Sequence, residues 1–465
     1  MDRAKTVLEA GYGGMLRLDE SIWSDAVTED DVRRRYVDRR TGAHEDPKAA
    51  TVPVFDRLRK RLLHRNARIF LTGQKGSGKS TELRRLLVDP DIQKRFECVT
   101  MIASRWIDQG QSVDMRFVLL SLAAALAEHI DERKYQEIDG WSREAGAFVK
   151  GWVDLLRGLR EFPSEPQSVA FTSGFKVPLL EASVELRSDE KRRSKALDDG
   201  TLTVPKLERL VSELIALIER GSEREMLLVV DDGDKLAQDA IAKSVFVEHG
   251  VVWLRLSCRA VVTFPYWLHF APEFNPIAAQ EAPLLLENVK VVRRGAPDVV
   301  LPGAFTFFQR LLDAMIEGRA NLVDDDALEE AARLGAGIPR EFLRVLERGF
   351  MRAADYDEPK LTRDTLRYTA QDLRAELMRM TQNETVRRSL VRVRLSKELR
   401  TQDDWRLLDQ LMVIEHRNDQ PWYDVHPIIA REVDGLADEY ARRLSRDNVP
   451  ATPAAVMDFL DGRGP

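Results

Sequence analysis

The sequence predicts an α/β protein: a parallel sheet wound with helices, then a helical region, then a small C-terminal domain. Three observations carry that expectation. A strand-like run over residues 68–71 leads into Gly73-Gln-Lys-Gly76-Ser-Gly78-Lys79-Ser80-Thr81 and on into the helical pattern Glu82-Leu-Arg-Arg-Leu-Leu87. A second apolar run, Leu227-Leu-Val-Val230, ends in the pair Asp231-Asp232. Further strand-like runs at 97–103, 260–264 and within 284–292 are separated by helical patterns, the alternation that gives a parallel sheet with helices on both faces.

Length and composition set the frame. The chain has 465 residues, 44% hydrophobic and 32% charged, which suits packed globular domains rather than disorder. The net charge of −6 argues against a wholesale nucleic-acid coat and leaves room for a local basic surface. Two cysteines, Cys98 and Cys258, sit among apolar residues without a C-x-x-C neighbour, so buried reduced thiols are expected rather than a disulfide framework or zinc site. With no signal-peptide pattern at Met1-Asp-Arg-Ala-Lys-Thr and no apolar run near the ~18 residues of a membrane span, the expectation is a cytoplasmic protein without membrane contact.

Four segments are expected. Residues 1–50 form a polar extension, with a helix start at Thr28-Glu-Asp-Asp31 and basic residues in Val32-Arg-Arg-Arg-Tyr36. Residues 51–295 form the sheet core, with helices at 53–63, 117–129 and 202–220. An insertion over roughly 130–200 carries the breakers Pro163 and Pro166 and hairpin-like alternation at 168–175 and 182–186. Residues 296–380 read as a helical lid and 381–465 as a further small domain with a tail.

The chemistry is concentrated in a few residues. G-x-x-x-x-G-K-S between a strand and a helix is the phosphate-cradling P-loop: Gly73, Gly76 and Gly78 let backbone N–H groups turn inward, and the helix start adds its positive dipole end. Lys79 is placed for the β- and γ-phosphates, Ser80 for Mg²⁺, and Thr81 continues the cradle into the helix. Asp231 and Asp232 leave their strand at its carboxyl end, where ligands sit in open α/β sheets. Asp231 suits Mg²⁺ through water and Asp232 the attacking water, while Asp234 either binds a neighbouring subunit or caps the next helix. Thr263 ends the strand beside them and is a candidate γ-phosphate sensor, with a satisfied strand-end threonine as the alternative. In Gly337-Ile-Pro339-Arg340, Pro339 suits the first helical turn, and Arg340, poorly placed for the helix dipole, invites a phosphate, with a simple surface arginine as the alternative.

Together these elements resemble the P-loop ATPases of the AAA+ and STAND group, near the origin-recognition and archaeal ATPases, over residues 51 to about 440. The resemblance implies an additional-strand sheet core, a helical lid and a C-terminal winged helix, with ATP and Mg²⁺ as ligands. It places Pro339 by the adenine and makes Arg340 the lid arginine that contacts the γ-phosphate. Residues 405–411 then read as a winged-helix helix, with 413–418 and 422–425 as wing strands. His426 falls where STAND proteins carry a diphosphate-binding histidine, although Pro427 replaces the usual aspartate and a helix-capping histidine is the plainer alternative. Between Thr263 and Val292 there is no arginine, where ring motors of the family supply a finger; either a finger comes from elsewhere, such as Arg319 in the lid, or the chain does not work as a conventional ring motor.

Two functions compete, beside a blander third, a non-hydrolysing nucleotide-binding scaffold, against which Asp231 and Asp232 argue. One is an ATP-hydrolysing switch that assembles with itself or with a separate effector or sensor protein, which by resemblance suggests prokaryotic antiviral defence. The other is a DNA-handling ATPase, a loader or transposition-type regulator, that binds duplex DNA through the winged helix. The segment 384–406 carries seven basic residues, Arg387, Arg388, Arg392, Arg394, Lys397, Arg400 and Arg406, against four acids, net +3, and suits phosphate contacts. Val391-Arg-Val-Arg-Leu395 within it alternates like a short strand with a solvated face.

Overall fold

The computed structural model describes Glu29 and residues 53–107, 113–133, 202–316, 322–418, 420–446, 449–450 and 452–462. The expected hairpins at 168–175 and 182–186, the helix start at Thr28, the arginines of 33–35 and Arg319 lie outside the described residues. Packing divides the chain into two units. One comprises Leu58–Leu71 and Leu86–Leu284; the other comprises Thr72–Arg85 and Leu285–Pro465, with the described part of Met1–Arg57.

The sheet has five strands in the order β2-β3-β4-β1-β5. They are β1 (Arg68–Thr72), β2 (Phe96–Ile102), β3 (Glu225–Asp231), β4 (Arg259–Thr263) and the short β5 (Leu284–Leu285). β2 pairs parallel with β3, β3 with β4, and β4 with β1. One strand, β4, therefore separates the strand that feeds the P-loop from the strand that ends in Asp231, as an additional-strand core requires. Ile69 to Leu71 and Met226 to Val230 are buried on both faces, which is why these runs read as continuous apolar stretches rather than alternating ones. In register, Leu71 faces Thr263 and Val230 faces Val262, so β1, β3 and β4 end at one carboxyl edge.

Helices flank the sheet as their apolar spacing dictates. α1 is Val54–His64, α2 Lys79–Leu87, α3 Pro90–Arg95, α4 Met115–Glu132 and α5 Val204–Ser222. Along α5, Leu207, Leu210, Val211, Leu214, Ile215 and Ile218 form one buried stripe, and Pro205 occupies its first turn, where the missing N–H costs nothing. Arg224 donates to the carboxylate of Glu97, which is 1% exposed and also pairs with Arg133 and with His129 at 3.0 Å. That cluster holds the start of β2 against its helices. Both thiols are pushed up to about 12, chiefly by burial and secondarily by Glu97 for Cys98 and Glu219 for Cys258. Neither is a thiolate at neutral pH, and both are free, as expected of structural cysteines.

The second unit is helical after β5: α6 (Pro302–Asp313), α7 (Asp325–Leu334), α8 (Pro339–Asp355) and α9 (Arg363–Met378). α10 (Glu384–Ser396) and α11 (Gln402–Asp409) follow, then an antiparallel hairpin, β6 (Val413–Arg417) with β7 (Pro421–Val425), and α12 (Ala430–Arg446) and α13 (Pro453–Leu460). Among the described residues no helix is long and apolar enough to cross a membrane.

Residues 391–395 are helical, not a strand. Ser389, Leu390, Val391, Arg392 and Val393 are all buried within α10, so the apolar-charged alternation is not an alternation of inside and outside. Arg392 is the cause: a buried arginine reads in sequence as a solvated position. Its guanidinium pairs with the fully buried Asp404 at 2.9 Å and with Asp461 at 3.2 Å, and it also donates to Thr401 Oγ1 at 2.9 Å. Asp404 in turn accepts from the backbone N–H groups of Arg400 and Thr401, closing the capping box of α11.

The rest of the basic segment is similarly engaged. Arg394 pairs with Asp424 and Asp434, and Lys397 with Asp424. Arg388 pairs with Glu384, Arg400 with Glu398 and Asp461, and Arg406 with Asp403. Arg387 donates to the Thr381 carbonyl. Arg392 and Arg394 are thus held in pairs within the unit, while the ion pairs of Arg388, Arg400 and Arg406 are solvated, with their arginines 40–41% exposed.

Removing one member of a buried pair leaves the other charged and unpaired. Arg392→Ala is expected to lower stability by about 3 kcal/mol in chemical denaturation. Arg388→Ala, whose ion pair is solvated, is expected to cost under about 0.5 kcal/mol.

Candidate nucleotide-binding site

β1 delivers the chain into the P-loop, where Gly76 and Gly78 take φ of 80° and 100°. Gly76 has a second constraint. A Cβ there would stand 2.7 Å from Arg340 Cβ and 3.1 Å from Ile338 Cγ2, so the loop is shaped around the first turn of α8 as well as by its own turn. The Ser77 N–H donates to the Gln74 carbonyl at 3.1 Å, and α2 begins at Lys79. Lys79 is buried, and its ammonium donates to the carbonyls of Gly73 at 2.8 Å and Gln74 at 3.1 Å. A curled glycine loop, an ammonium held inside it and the Ser80 hydroxyl at the helix start are a donor set that fits a nucleoside triphosphate with Mg²⁺.

The residue least conspicuous in the motif is the most heavily bonded. Gln74 is 1% exposed. Its Nε2 donates to the carbonyls of Leu408 at 3.1 Å and Val413 at 2.8 Å. Its Oε1 accepts from the Glu415 N–H at 3.0 Å and from Asn288 Nδ2 at 2.6 Å. Asn288 Nδ2 also donates to the Glu415 carbonyl at 3.1 Å. The amide uses all four of its hydrogen-bonding positions and pairs with β6 at Val413 and Glu415 much as a neighbouring strand would.

The turn before α8 belongs to the same assembly. The Arg340 N–H donates to the Gly76 carbonyl at 3.3 Å, and the Val289 N–H to the Gly337 carbonyl at 2.9 Å. Ala336 and Ile338 are buried together with Ile414 of β6, and Leu411 packs against them. Pro339 opens α8, and the Arg340 side chain is exposed with no hydrogen bond or ion pair to the described residues.

In the other unit, one ligand oxygen from each of Asp231, Asp232 and Asp234 lies within 4.8 Å of the others. Asp232 has φ of 61°, and Gly233 follows because a Cβ there would fall 2.1 Å from the Thr263 carbonyl oxygen. Thr263 is fully buried; its Oγ1 accepts from the Gly233 N–H at 2.9 Å and donates to the Val230 carbonyl at 3.3 Å. Its hydroxyl is thus committed to holding the acid turn. Asp232 Oδ2 accepts from Lys235 Nζ at 2.7 Å and from Ser104 Oγ. No hydrogen bond reaches Oδ1 among the described residues.

His426 is where the resemblance put it, after β7, and its Nδ1 accepts from the Ile428 N–H at 3.3 Å, the capping role of the plainer alternative. Its Nε2 is buried without a hydrogen-bond partner among the described residues. Burial lowers its pKa to about 3, with Arg344 and His416 adding to the effect. His416, stacked on Trp422 at 4.1 Å, is likewise lowered to about 4 by burial, partly opposed by Asp424.

Sequence reasoning did not find Gln74, Asn288, Ser104 or Lys235. The first occupies a motif position that tolerates any residue, and the others meet their partners only through the fold. Lys235, three residues after Asp232, was the one local signal available.

No protein-family model and no curated protein matches the chain. Solved structures similar to it include a Walker-type ATPase of Pyrococcus abyssi, 13% identical, covering 82% of this chain and 95% of that one at a TM-score of 0.42. The Orc1 protein of Aeropyrum pernix, solved in complex with DNA, is 13% identical over 87% of this chain and 88% of its own at 0.39. Cdc6p of Pyrobaculum aerophilum is 13% identical over 87% and 98% at 0.34. What this chain does is therefore read from its own residues.

Two buried neutral histidines give an acid sensitivity. Each has a folded pKa below the unfolded value of about 6.5, so the unfolded state binds more protons as pH falls. Their contribution is intact above pH 6.5 and is lost progressively below it. Between pH 7 and pH 5, stability is expected to fall by about 2 kcal/mol per histidine. Denaturation of His416→Phe across that range checks it, with the variant losing less than wild type.

Proposed function

We propose that the chain binds and hydrolyses ATP at its P-loop and uses bound nucleotide as a switch. The observation that carries this reading is the P-loop itself: a glycine-shaped cradle with the Lys79 ammonium inside it, opening α2 at the Ser80 hydroxyl. Gly73, Gly76, Gly78 and Thr81 complete the cradle. Ser80 and Asp231 are the residues suited to Mg²⁺, which would supply charge neutralisation at the phosphates. Asp232, its Oδ2 fixed by Lys235 and Ser104, presents Oδ1 to the attacking water. Arg340 reads the γ-phosphate: its backbone is tied to Gly76 and its side chain is exposed. Pro339 takes the adenine side, Thr263 supports the acid turn, and His426 senses the diphosphate through the buried ring nitrogen left unpaired.

The switch is read as acting through self-association and a separate effector or sensor protein, in the cytoplasm, with antiviral defence as its setting. This extends the family resemblance, and the absence of an arginine between Thr263 and Val292 favours a switch over a ring motor. The DNA-handling reading draws less support, because the basic residues of 384–406 are engaged with acids and carbonyls of their own unit.

ATP turnover tests the proposal. Lys79→Ala is expected to abolish ATP binding. Asp232→Asn is expected to bind ATP while turnover falls by about 10²-fold or more. Duplex DNA should leave wild-type turnover unchanged. Full turnover by Lys79→Ala would overturn the site assignment, and strong DNA stimulation would favour the DNA-handling reading.

A further inference from the structure

The bonds of Gln74 tie the phosphate cradle to the C-terminal hairpin, and the bonds of Lys79 tie the cradle's cation to Gln74. The Gln74 side chain is held by Leu408, Val413, Glu415 and Asn288, while its main-chain carbonyl accepts from Lys79 Nζ at 3.1 Å. One residue thus stands between the group that must bind phosphate and a strand more than 330 positions away in sequence. A triphosphate competes for the same ammonium. Lys79 donates to the Gly73 and Gln74 carbonyls, and the clamp on Gln74 holds the second of these in place as a rival acceptor.

We propose that Gln74 is a latch joining the P-loop to β6, that it restrains triphosphate binding, and that binding in turn loosens the hairpin. This rests on the P-loop being a nucleotide site, as proposed above. The coupling is reciprocal: whatever the latch takes from nucleotide affinity, bound nucleotide takes from the hold on the hairpin.

Gln74→Met keeps the side-chain volume and removes all four bonds; Asn288→Ala removes one donor to Oε1 and is the milder variant should the first fold poorly. Two readouts are taken on the full-length chain: the Kd for Mg-ATP, and amide hydrogen exchange of residues 411–425 with and without nucleotide. In wild type, Mg-ATP is expected to speed exchange in that segment. In Gln74→Met, exchange should be about tenfold faster without nucleotide and insensitive to it, and Mg-ATP should bind about tenfold more tightly. Asn288→Ala should move both readouts the same way by less. Folded variants with unchanged exchange at 411–425, or with equal or weaker Mg-ATP binding, would overturn the latch. If wild type itself binds no Mg-ATP, the nucleotide reading fails, while exchange in the nucleotide-free variants still decides whether Gln74 holds the hairpin.

Discussion

The structure of the Thr72–Arg85 and Leu285–Pro465 unit turns on one side-chain amide. A buried amide left unpaired costs about 1–3 kcal/mol, so Gln74 is affordable inside only because all four of its positions are met. Meeting them dictates where β6, the end of α11 and the segment around Asn288 must lie. Around that point the apolar contacts fall into place: Ile414 on Ala336 and Ile338, and Gly76 against the first turn of α8. The glycine loop at residues 73–78 is thereby hydrogen-bonded to the C-terminal half of its unit.

The acid turn at the end of β3 follows a different logic. There the backbone is forced first: φ of 61° at Asp232 and a Gly233 without room for a side chain beside Thr263. Thr263 spends its hydroxyl on that turn, and Lys235 and Ser104 then fix one oxygen of Asp232. A carboxylate whose rotamer is set by two donors has little reorganisation left to do when it meets a water, which is the condition for effective orientation of a nucleophile. Rigid shape at the acid turn and shared hydrogen bonds at the P-loop are thus two ways in which residues outside a motif hold motif residues in place.

Much of this was legible in the sequence, for physical reasons. Buried parallel strands are continuously apolar, so β1, β3 and β4 stood out, and the long stripe of α5 fixed its helix. P-loop glycines are demanded by backbone geometry and so leave a motif. The hairpin of β6 and β7 was found by resemblance and lies where expected. What escaped was everything decided by partners distant in sequence. Arg392 imitated a solvated strand position because its partners, Asp404 and Asp461, could not be known. Arg394, in the same run, looked available to phosphate for the same reason. Gln74 occupies a variable motif position, and nothing local distinguishes an amide that reaches 339 residues along the chain from one that points at water.

If the P-loop and the hairpin are one hydrogen-bonded body, they must open together. Native-state hydrogen exchange of the wild-type chain under increasing denaturant is the direct measurement, comparing amides of 79–87 with those of 413–425. The account predicts that the two segments converge on a common opening free energy below that of global unfolding. A hairpin that opens on its own at low denaturant while the P-loop helix stays protected would contradict it.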